Sequence, residues 1–178
     1  MRPIAPMLFT VAALAACRLP LSAQAADVRQ SDAESLVRGL YTAVTFEAGT
    51  TPDWDHVRSM FLDRATVVLR TTRTATTVFD VDGFVADFVS FIERANVQAT
   101  GFTERVVRVR PLVFGDIAHV LVLYEASIPG SGRPPQQGVD SFQLIRRDGR
   151  WWIVSIVNEI PTPDRPLPPE LTGGDGPA

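Results

Sequence analysis

The hydrophobic period of this chain changes after Asn96, and that change constrains the fold more than any other feature. Beyond Thr103, apolar residues alternate with polar ones at period two, which is typical of half-buried strands. Phe114-Gly115-Asp116-Ile117 predicts a tight turn, and Asp148-Gly149 between two apolar runs is a strong hairpin signal. The C-terminal half therefore predicts antiparallel strands over residues 103–114, 117–128, 139–146 and 151–160.

Helical patterns precede these strands. Ser31-Asp32-Ala33-Glu34 has the spacing of a capping box, and apolar residues at helical spacing follow it to Val44. Pro52 and Asp53 predict a second, shorter helix, and a third is predicted to start near Asp82. Valine and threonine between residues 65 and 81 predict two short strands. This order predicts an α+β fold in which three N-terminal helices pack on one face of a curved antiparallel sheet.

The N-terminal segment has the features of an export signal. Arg2 precedes an apolar run from Ile4 to Ala16, which is too short to span a bilayer, and Ala23-Gln24-Ala25 offers small residues for cleavage. We predict a signal peptide over residues 1–25 and a periplasmic or secreted mature protein, with no membrane span. Leu14-Ala15-Ala16-Cys17 also resembles a bacterial lipobox, so a lipoprotein anchored through Cys17 is the alternative.

The C-terminal segment differs from the rest in composition. Six of the 14 prolines fall between Pro161 and Ala178. Because proline fixes φ and lacks a backbone donor, this stretch predicts neither a helix nor a central strand. We therefore predict a single domain over residues 26–162 and a disordered tail over residues 163–178, which suits a chain of 178 residues.

Charge and residue usage exclude several classes of function. The chain has 17 basic and 20 acidic residues, and this balance argues against a nucleic-acid partner. One cysteine rules out a disulfide framework, and two histidines, His56 and His119, make a histidine-built metal site improbable. The sequence also has no phosphate-binding loop and no dinucleotide-binding glycine pattern, so neither a metal nor a cofactor is expected.

Three segments carry a resemblance to a known family. They are GVDSFQLIRRDGRWWIVSIVNEIP at 138–161, WDHVRSMFLDRATVV at 54–68 and GDIAHVLVLYEA at 115–126. Over residues 31–162 the chain resembles the SnoaL-like group of the nuclear-transport-factor-2-like (NTF2-like), or cystatin-like, superfamily. The resemblance implies a cone-shaped fold with a cavity between sheet and helices, and often a homodimer. Family members include isomerases, dehydratases, cyclases and modules without known activity, so the fold does not assign a function.

Strand register predicts which residues face this cavity. The Asp148-Gly149 turn pairs Ile145 with Trp152 and Asp140 with Val157, and symmetric closure of the preceding loop puts Ile128 opposite Val139. One sheet face then combines apolar side chains with neutral hydrogen-bonding groups, as small-molecule pockets do. The predicted ligand-binding residues on this face are Tyr124, Ser141, Gln143 and Asn158, with Tyr41 and Trp54 opposite them.

The opposite face holds the candidate acid–base groups. His119 and Asp140 resemble the histidine and carboxylate of some family enzymes, but the predicted register separates them by roughly 25 Å. His119 is therefore predicted to be structural and to lie outside the cavity. Glu125 and Asp140 are predicted to be neighbours, where mutual repulsion and burial would raise a carboxyl pKa unless the face meets solvent or a partner. No catalytic residue is assigned.

Two functions stay open at this point. One is an exported module whose cavity binds a small, largely apolar molecule without catalysis. The other is a cofactor-independent isomerase or dehydratase that uses acid–base chemistry. Burial of Asp140 and Glu125 discriminates between them, because an enzyme of this kind needs a carboxyl group or a histidine inside the cavity. The predicted register places no acid inside, so the binding module is the preferred prediction.

Overall fold

The computed structural model describes residues 21–173 apart from Arg73, with side chains from Arg29 onward. Most of the predicted signal peptide, including Cys17, and the last five residues lie outside this range. The helices are α1 (Leu21–Val44), α2 (Trp54–Arg58), α3 (Val81–Arg94) and α4 (Pro169–Thr172), with a 3-10 turn at Val97–Ala99. The strands are β1 (Phe46–Glu47), β2 (Phe61–Arg70), β3 (Thr76–Phe79), β4 (Gly101–Phe114), β5 (Ile117–Ser127), β6 (Gln136–Arg147) and β7 (Arg150–Glu159). None of the described helices is long and apolar enough to cross a membrane.

The seven strands form one open sheet in the order β1-β4-β5-β6-β7-β2-β3. All neighbours are antiparallel except β2 and β7, which run parallel. The long helices α1 and α3 cover one face, called here the inner face, and the other is the outer face. Buried side chains of α1 and the inner face form the main core, among them Val37, Val120, Val122, Phe142 and Ile153. The predicted α+β layout is confirmed.

The first helix is longer than its sequence pattern predicts. It begins at Leu21, so Ser31 lies inside the helix and the predicted capping box does not start it. Glu34 binds Arg38, four residues further on, at 2.7 Å. The preceding turn is held on the sheet, because the Trp151 indole N–H donates to the Arg29 carbonyl at 3.1 Å. This contact holds α1 against the sheet upstream of Ser31.

The other helices follow their predicted starts closely. The Asp53 side chain accepts a hydrogen bond from the His56 backbone N–H at 3.0 Å and caps α2, as predicted. The Asp80 side chain caps α3 two residues before the predicted Asp82. The expectation of three N-terminal helices is therefore only partly right, because α2 spans five residues and a fourth helix lies near the C-terminus.

The described part of the C-terminal segment packs on the sheet, unlike the predicted disordered tail. Pro169 opens α4, and Leu171 is 1% exposed. The Arg110 guanidinium, on β4, donates to the Glu170 carbonyl at 3.0 Å. Proline prevents this segment from joining the sheet but does not prevent it from packing against one.

The register of β5, β6 and β7 differs from the prediction at two places. β6 begins at Gln136, inside the predicted loop, so Tyr124 pairs with Gly138 and Val122 pairs with Asp140. This offset from the predicted pairing is an odd number of residues, so it exchanges the faces of β6 relative to β5. On β7, Ile145 pairs with Trp152 as predicted, but a bulge after Gln143 makes Asn158, and not Val157, the partner of Asp140.

Candidate functional site

A pocket of about 470 Å³ lies between the helices and the inner face of the sheet. Its walls are mainly apolar and include four phenylalanines, Phe84, Phe88, Phe91 and Phe102. Polar side chains also line it, and five of them are called here the inner polar group. The inner polar group is Tyr41, Glu104, Tyr124, Asp140 and Asn158, and the charged residues Arg70, Asp87 and Arg133 also line the pocket.

Asp140 is the centre of the inner polar group. It is 9% exposed, and both carboxylate oxygens accept hydrogen bonds. The Tyr41 hydroxyl donates to Oδ2 at 2.6 Å, and the Asn158 amide donates to Oδ1 at 2.7 Å. The same Asn158 amide nitrogen donates to the Tyr124 hydroxyl at 3.1 Å. Four polar side chains from α1, β5, β6 and β7 therefore form one connected network.

Local sequence patterns bring these four residues together. Tyr41 belongs to the apolar stripe of α1 that also buries Val37 and Val44, so its ring is carried into the core. The centroid of the Tyr41 ring lies 5.5 Å from the centroid of the Tyr124 ring. Asp140 and Asn158 are cross-strand partners, and side chains of such partners project from the same face.

Burial controls the acidity of Asp140. It raises the pKa of this carboxyl to about 6, and the hydrogen bonds from Tyr41 and Asn158 limit the rise because they stabilise the ionised form. At neutral pH the carboxylate is therefore mainly ionised and still close enough to its pKa to accept a proton.

Glu104 is a second acid on the inner face. Burial raises its pKa to about 8, and the negative charge of Asp140 contributes to the rise. At neutral pH Glu104 is mainly protonated, so the pocket holds one carboxylate and one carboxylic acid. The two tyrosines stay protonated as well, because burial raises the pKa of both Tyr41 and Tyr124.

Strand register sets the spacing of the two acids. Glu104 pairs with Ala126, which pairs with Gln136, so Glu104 lies two strands from Asp140 and four residues along the sheet. Their Cα atoms are thus offset by roughly 13 Å along the strands and roughly 10 Å across them. Because both side chains point into the pocket, a small molecule can lie between them.

The two arginines that line the pocket differ in their partners. Arg70 is held by Glu159 through two hydrogen bonds, one from Nε at 2.9 Å, and these lower the pKa of Glu159. Arg133, in the loop between β5 and β6, is exposed.

Among the described residues, no group of three or more histidine, cysteine or acidic side chains could hold a metal ion.

Three of the six predicted ligand-binding residues line the pocket, namely Tyr41, Tyr124 and Asn158. Trp54 is not among the lining residues and packs against Phe88, with ring centroids 5.4 Å apart. Ser141 and Gln143 point to the outer face, because the register of β6 differs from the predicted one. Gln143 is exposed there.

The predicted acid–base residues are distributed differently from expectation. His119 lies on the outer face, as predicted, with Nε2 at 3.0 Å from the Ser141 hydroxyl. Glu125 also lies on the outer face and accepts from Arg105 at 2.6 Å, so its predicted pairing with Asp140 is wrong. Glu104 was missed by sequence reasoning. Strict alternation along β4 groups Glu104 with Arg108 and Arg110, and only the bulge between Val106 and Arg108 puts it on the inner face with Val109.

No protein-family model and no curated protein matches this sequence. Solved structures do match its fold. An NTF2-like protein with a cystatin-like fold from Novosphingobium aromaticivorans has a TM-score of 0.59 and 18% identity, over 79% of this chain and 90% of that one. A candidate dehydratase of the NTF2-like family from Streptomyces avermitilis has a TM-score of 0.58 and 16% identity, over 77% and 99%.

A candidate scytalone dehydratase from Novosphingobium aromaticivorans has a TM-score of 0.58 and 11% identity, over 79% of this chain and 88% of that one. At these identities the comparison shows the fold alone. The chain therefore has the NTF2-like, cystatin-like fold, and the family resemblance seen in its sequence is confirmed at that level.

Proposed function

We propose that the pocket carries out acid–base chemistry without a cofactor on a small, largely apolar molecule, as an isomerase or a dehydratase does. The observation that carries this proposal is the position of Asp140, a buried carboxylate inside the pocket. The sequence alone favoured non-catalytic binding because it placed no acid inside. With Asp140 and Glu104 both inside, that reason no longer holds.

Asp140 is the proposed general base. A base works best when its pKa lies near the operating pH, and burial raises the pKa of Asp140 to about 6. It would take a proton from a carbon atom next to a carbonyl group. The Tyr124 oxygen accepts from Asn158, so its own O–H can donate to the oxygen on which negative charge develops.

Glu104 is the proposed general acid, because it is mainly protonated at neutral pH. In an isomerisation, Asp140 removes a proton from one carbon and Glu104 delivers a proton to another. In a dehydration, Asp140 removes the carbon-bound proton and Glu104 protonates the departing hydroxyl, which leaves as water. Separated pKa values of two carboxyl groups allow this division of roles.

Non-catalytic binding is the second candidate, and one observation favours it. Both Asp140 oxygens are already hydrogen-bonded, at 2.6 and 2.7 Å, as in a polar network that only supports a ligand. In that case Tyr124 and Asn158 would orient a neutral polar group of the bound molecule, and no bond would be broken.

The first test uses a panel of small cyclic ketones and β-hydroxyketones in D₂O, with deuterium uptake and water loss followed by NMR. Asp140→Asn should lower the rate by about 100-fold or more, because it removes the base. The rate of the unaltered protein should rise with pH as Asp140 ionises near 6 and fall as Glu104 ionises near 8. Glu104→Gln should remove the alkaline fall and lower the maximum.

Gln143→Leu is the matched control, because Gln143 is exposed on the outer face and should not affect the rate. A rate unaffected by Asp140→Asn contradicts the enzyme proposal. If compounds of the panel bind but none of them takes up deuterium or loses water, the result would favour the binding module instead.

We also propose that the domain is exported to the periplasm or secreted. The support is the apolar run of residues 4–16 and the small residues Ala23-Gln24-Ala25. Arg29, four residues after Ala25, already makes contacts with the sheet through its backbone carbonyl and its guanidinium. Cleavage after Ala25 would therefore keep these contacts, and so would a lipidated N-terminus at Cys17.

A further inference from the structure

Gly138 lies on β6 directly opposite Tyr124 of β5. A Cβ atom added at Gly138 would lie 2.5 Å from Tyr124 Cε1 and closer still to Cζ and Oη. Carbon atoms that are not bonded need more than 3 Å, so the Tyr124 ring occupies the space of any side chain at this position. The Tyr124 side chain that occupies this space belongs to the hydrogen-bond network of the pocket.

The Tyr124 side chain takes an unusual path for a strand residue. Opposite side chains of an antiparallel pair normally stand side by side, roughly perpendicular to the sheet. Tyr124 instead leans across β6, and its hydroxyl reaches the Asn158 amide on β7 at 3.1 Å. Asn158 is the residue whose amide also holds Asp140 Oδ1 at 2.7 Å. The lean of Tyr124 thus connects β5 with the candidate base.

Backbone conformation does not explain the glycine. Gly138 is not among the glycines with positive φ in the described part of the chain, so other residues could adopt its backbone angles. It is buried in a regular, paired segment of β6. What its missing side chain provides is space for one aromatic ring.

We propose that Gly138 is a positioning residue of the candidate active site: its missing side chain lets Tyr124 lie across β6, where the tyrosine hydroxyl orients the Asn158 amide that holds Asp140. The inference rests on the proposed function only for the reaction that the pocket performs. The contact between Gly138 and Tyr124 is independent of that reaction.

Two consequences follow from adding a methyl group at this position. In Gly138→Ala the ring must rise toward the pocket, which reduces the space for a ligand and separates the hydroxyl from Asn158. The hydrogen bond from Asn158 lowers the pKa of Asp140, so loss of its orientation should move this pKa upward. A purely structural role for Gly138 would change stability but would leave this titration alone.

The test is a titration of the Asp140 carboxyl by ¹³C NMR in the full-length protein, together with denaturant unfolding, and it needs no substrate. We expect Gly138→Ala to raise the midpoint pH of the Asp140 titration and to lower the folding equilibrium constant about tenfold. Tyr124→Phe keeps the ring and removes the hydroxyl, so it should raise the midpoint without the steric effect. This second variant keeps the test valid if Gly138→Ala does not fold.

A double-mutant cycle identifies the partner of Gly138. In a Tyr124→Leu background no ring lies across β6, so adding Gly138→Ala should change the folding constant less than about twofold. Gly39→Ala is the matched control, because its Cβ would lie 3.7 Å from the flexible Met60 side chain, and it should leave the titration unchanged.

The proposal is overturned if Gly138→Ala leaves the Asp140 titration unchanged, or if it destabilises the Tyr124→Leu background as strongly as the unaltered protein. Failure of the proposed function would look different. In that case the midpoint would shift as expected, but the deuterium-exchange assay would show no turnover with any protein.

Discussion

Asp140 shows how single residues set the chemistry of this pocket. A carboxylate that is buried without hydrogen bonds is strongly disfavoured, and its pKa rises until it is neutral. Tyr41 and Asn158 each donate one hydrogen bond to Asp140, so its pKa rises only to about 6. Glu104 has no such pair of donors among the described contacts, and its pKa rises further, to about 8.

Glu104 should make the stability of the domain depend on pH. Its pKa is about 8 in the folded protein and near 4.5 in an unfolded chain, so between these values the folded state binds more protons. The free energy of unfolding should therefore fall as pH rises from 4.5 to 8. Glu104→Gln should flatten this slope and raise stability at pH 8 by about 1–3 kcal/mol, as measured by urea unfolding at several pH values.

Glu125→Gln is the matched control for this measurement, because Glu125 binds Arg105 on the outer face and does not line the pocket. The slope should persist in that variant. An unchanged slope in Glu104→Gln would show that Glu104 is not the buried acid responsible for it.

At the scale of elements, the pairing of the four strands from β4 to β7 decides which acids face the pocket. Near the Asp148-Gly149 turn the predicted and observed registers agree, as in the pair Ile145 and Trp152. The bulge after Gln143 and the early start of β6 then shift the pairing farther from the turn. Successive side chains of a strand point to opposite faces of the sheet, so each such shift exchanges the faces. This exchange places Asp140 inside the pocket.

The short helix α4 gives a prediction at the same scale. Leu171 is 1% exposed, so Leu171→Ala should lower the free energy of unfolding by about 2–4 kcal/mol, because the substitution creates a cavity. Deleting residues 169–178 should have a similar effect in denaturant unfolding. Leu167→Ala, at a half-buried position in the same segment, is the control and should have a smaller effect.

Equal stability of Leu171→Ala and the unaltered protein would mean that α4 is not held on the sheet in solution. The predicted disordered tail would then describe the segment better than its packed form does.

At the scale of the whole molecule, the outer face of the sheet is partly apolar. Leu112, Phe114 and Ile117 are 72%, 82% and 57% exposed near the turn between β4 and β5. The homodimer implied by the family resemblance stays a prediction.

The N-terminal boundary gives the last prediction. Expressed in a bacterium with an intact export system, the protein should be recovered outside the cytoplasm with Ala26 as its first residue, as read by N-terminal sequencing. A chain that begins at Ala26 should be as stable as the full chain, because Arg29 keeps its contacts. A chain that begins at Ser31 should lose about 1–2 kcal/mol, since the Trp151 indole then loses its acceptor.

A lipidated Cys17 at the N-terminus would keep export and replace the predicted cleavage site. An uncut chain in the cytoplasm would contradict export altogether.

Sequence alone determined the features that depend on neighbouring residues. The periods of two and 3.6, the Asp53 cap and the Asp148-Gly149 turn predicted the α+β layout, and the segments around Trp54, Gly115 and Gly138 indicated the fold family. Tyr41, Tyr124 and Asn158, which the sequence predicted as ligand-binding residues, line the pocket, and their role in binding stays a prediction.

Only the tertiary structure decided which acids lie inside. That outcome depends on two bulges, in the β4–β5 and β6–β7 pairings, and on the length of one loop, which are set by packing between distant strands and leave little trace in local sequence. Asp140 and Glu104 face the pocket while Glu125, Ser141 and Gln143 face outward because a single residue of register reverses the face of a strand. For the same reason the contact between Gly138 and Tyr124, on which the position of the tyrosine hydroxyl depends, exists only once β5 and β6 are paired.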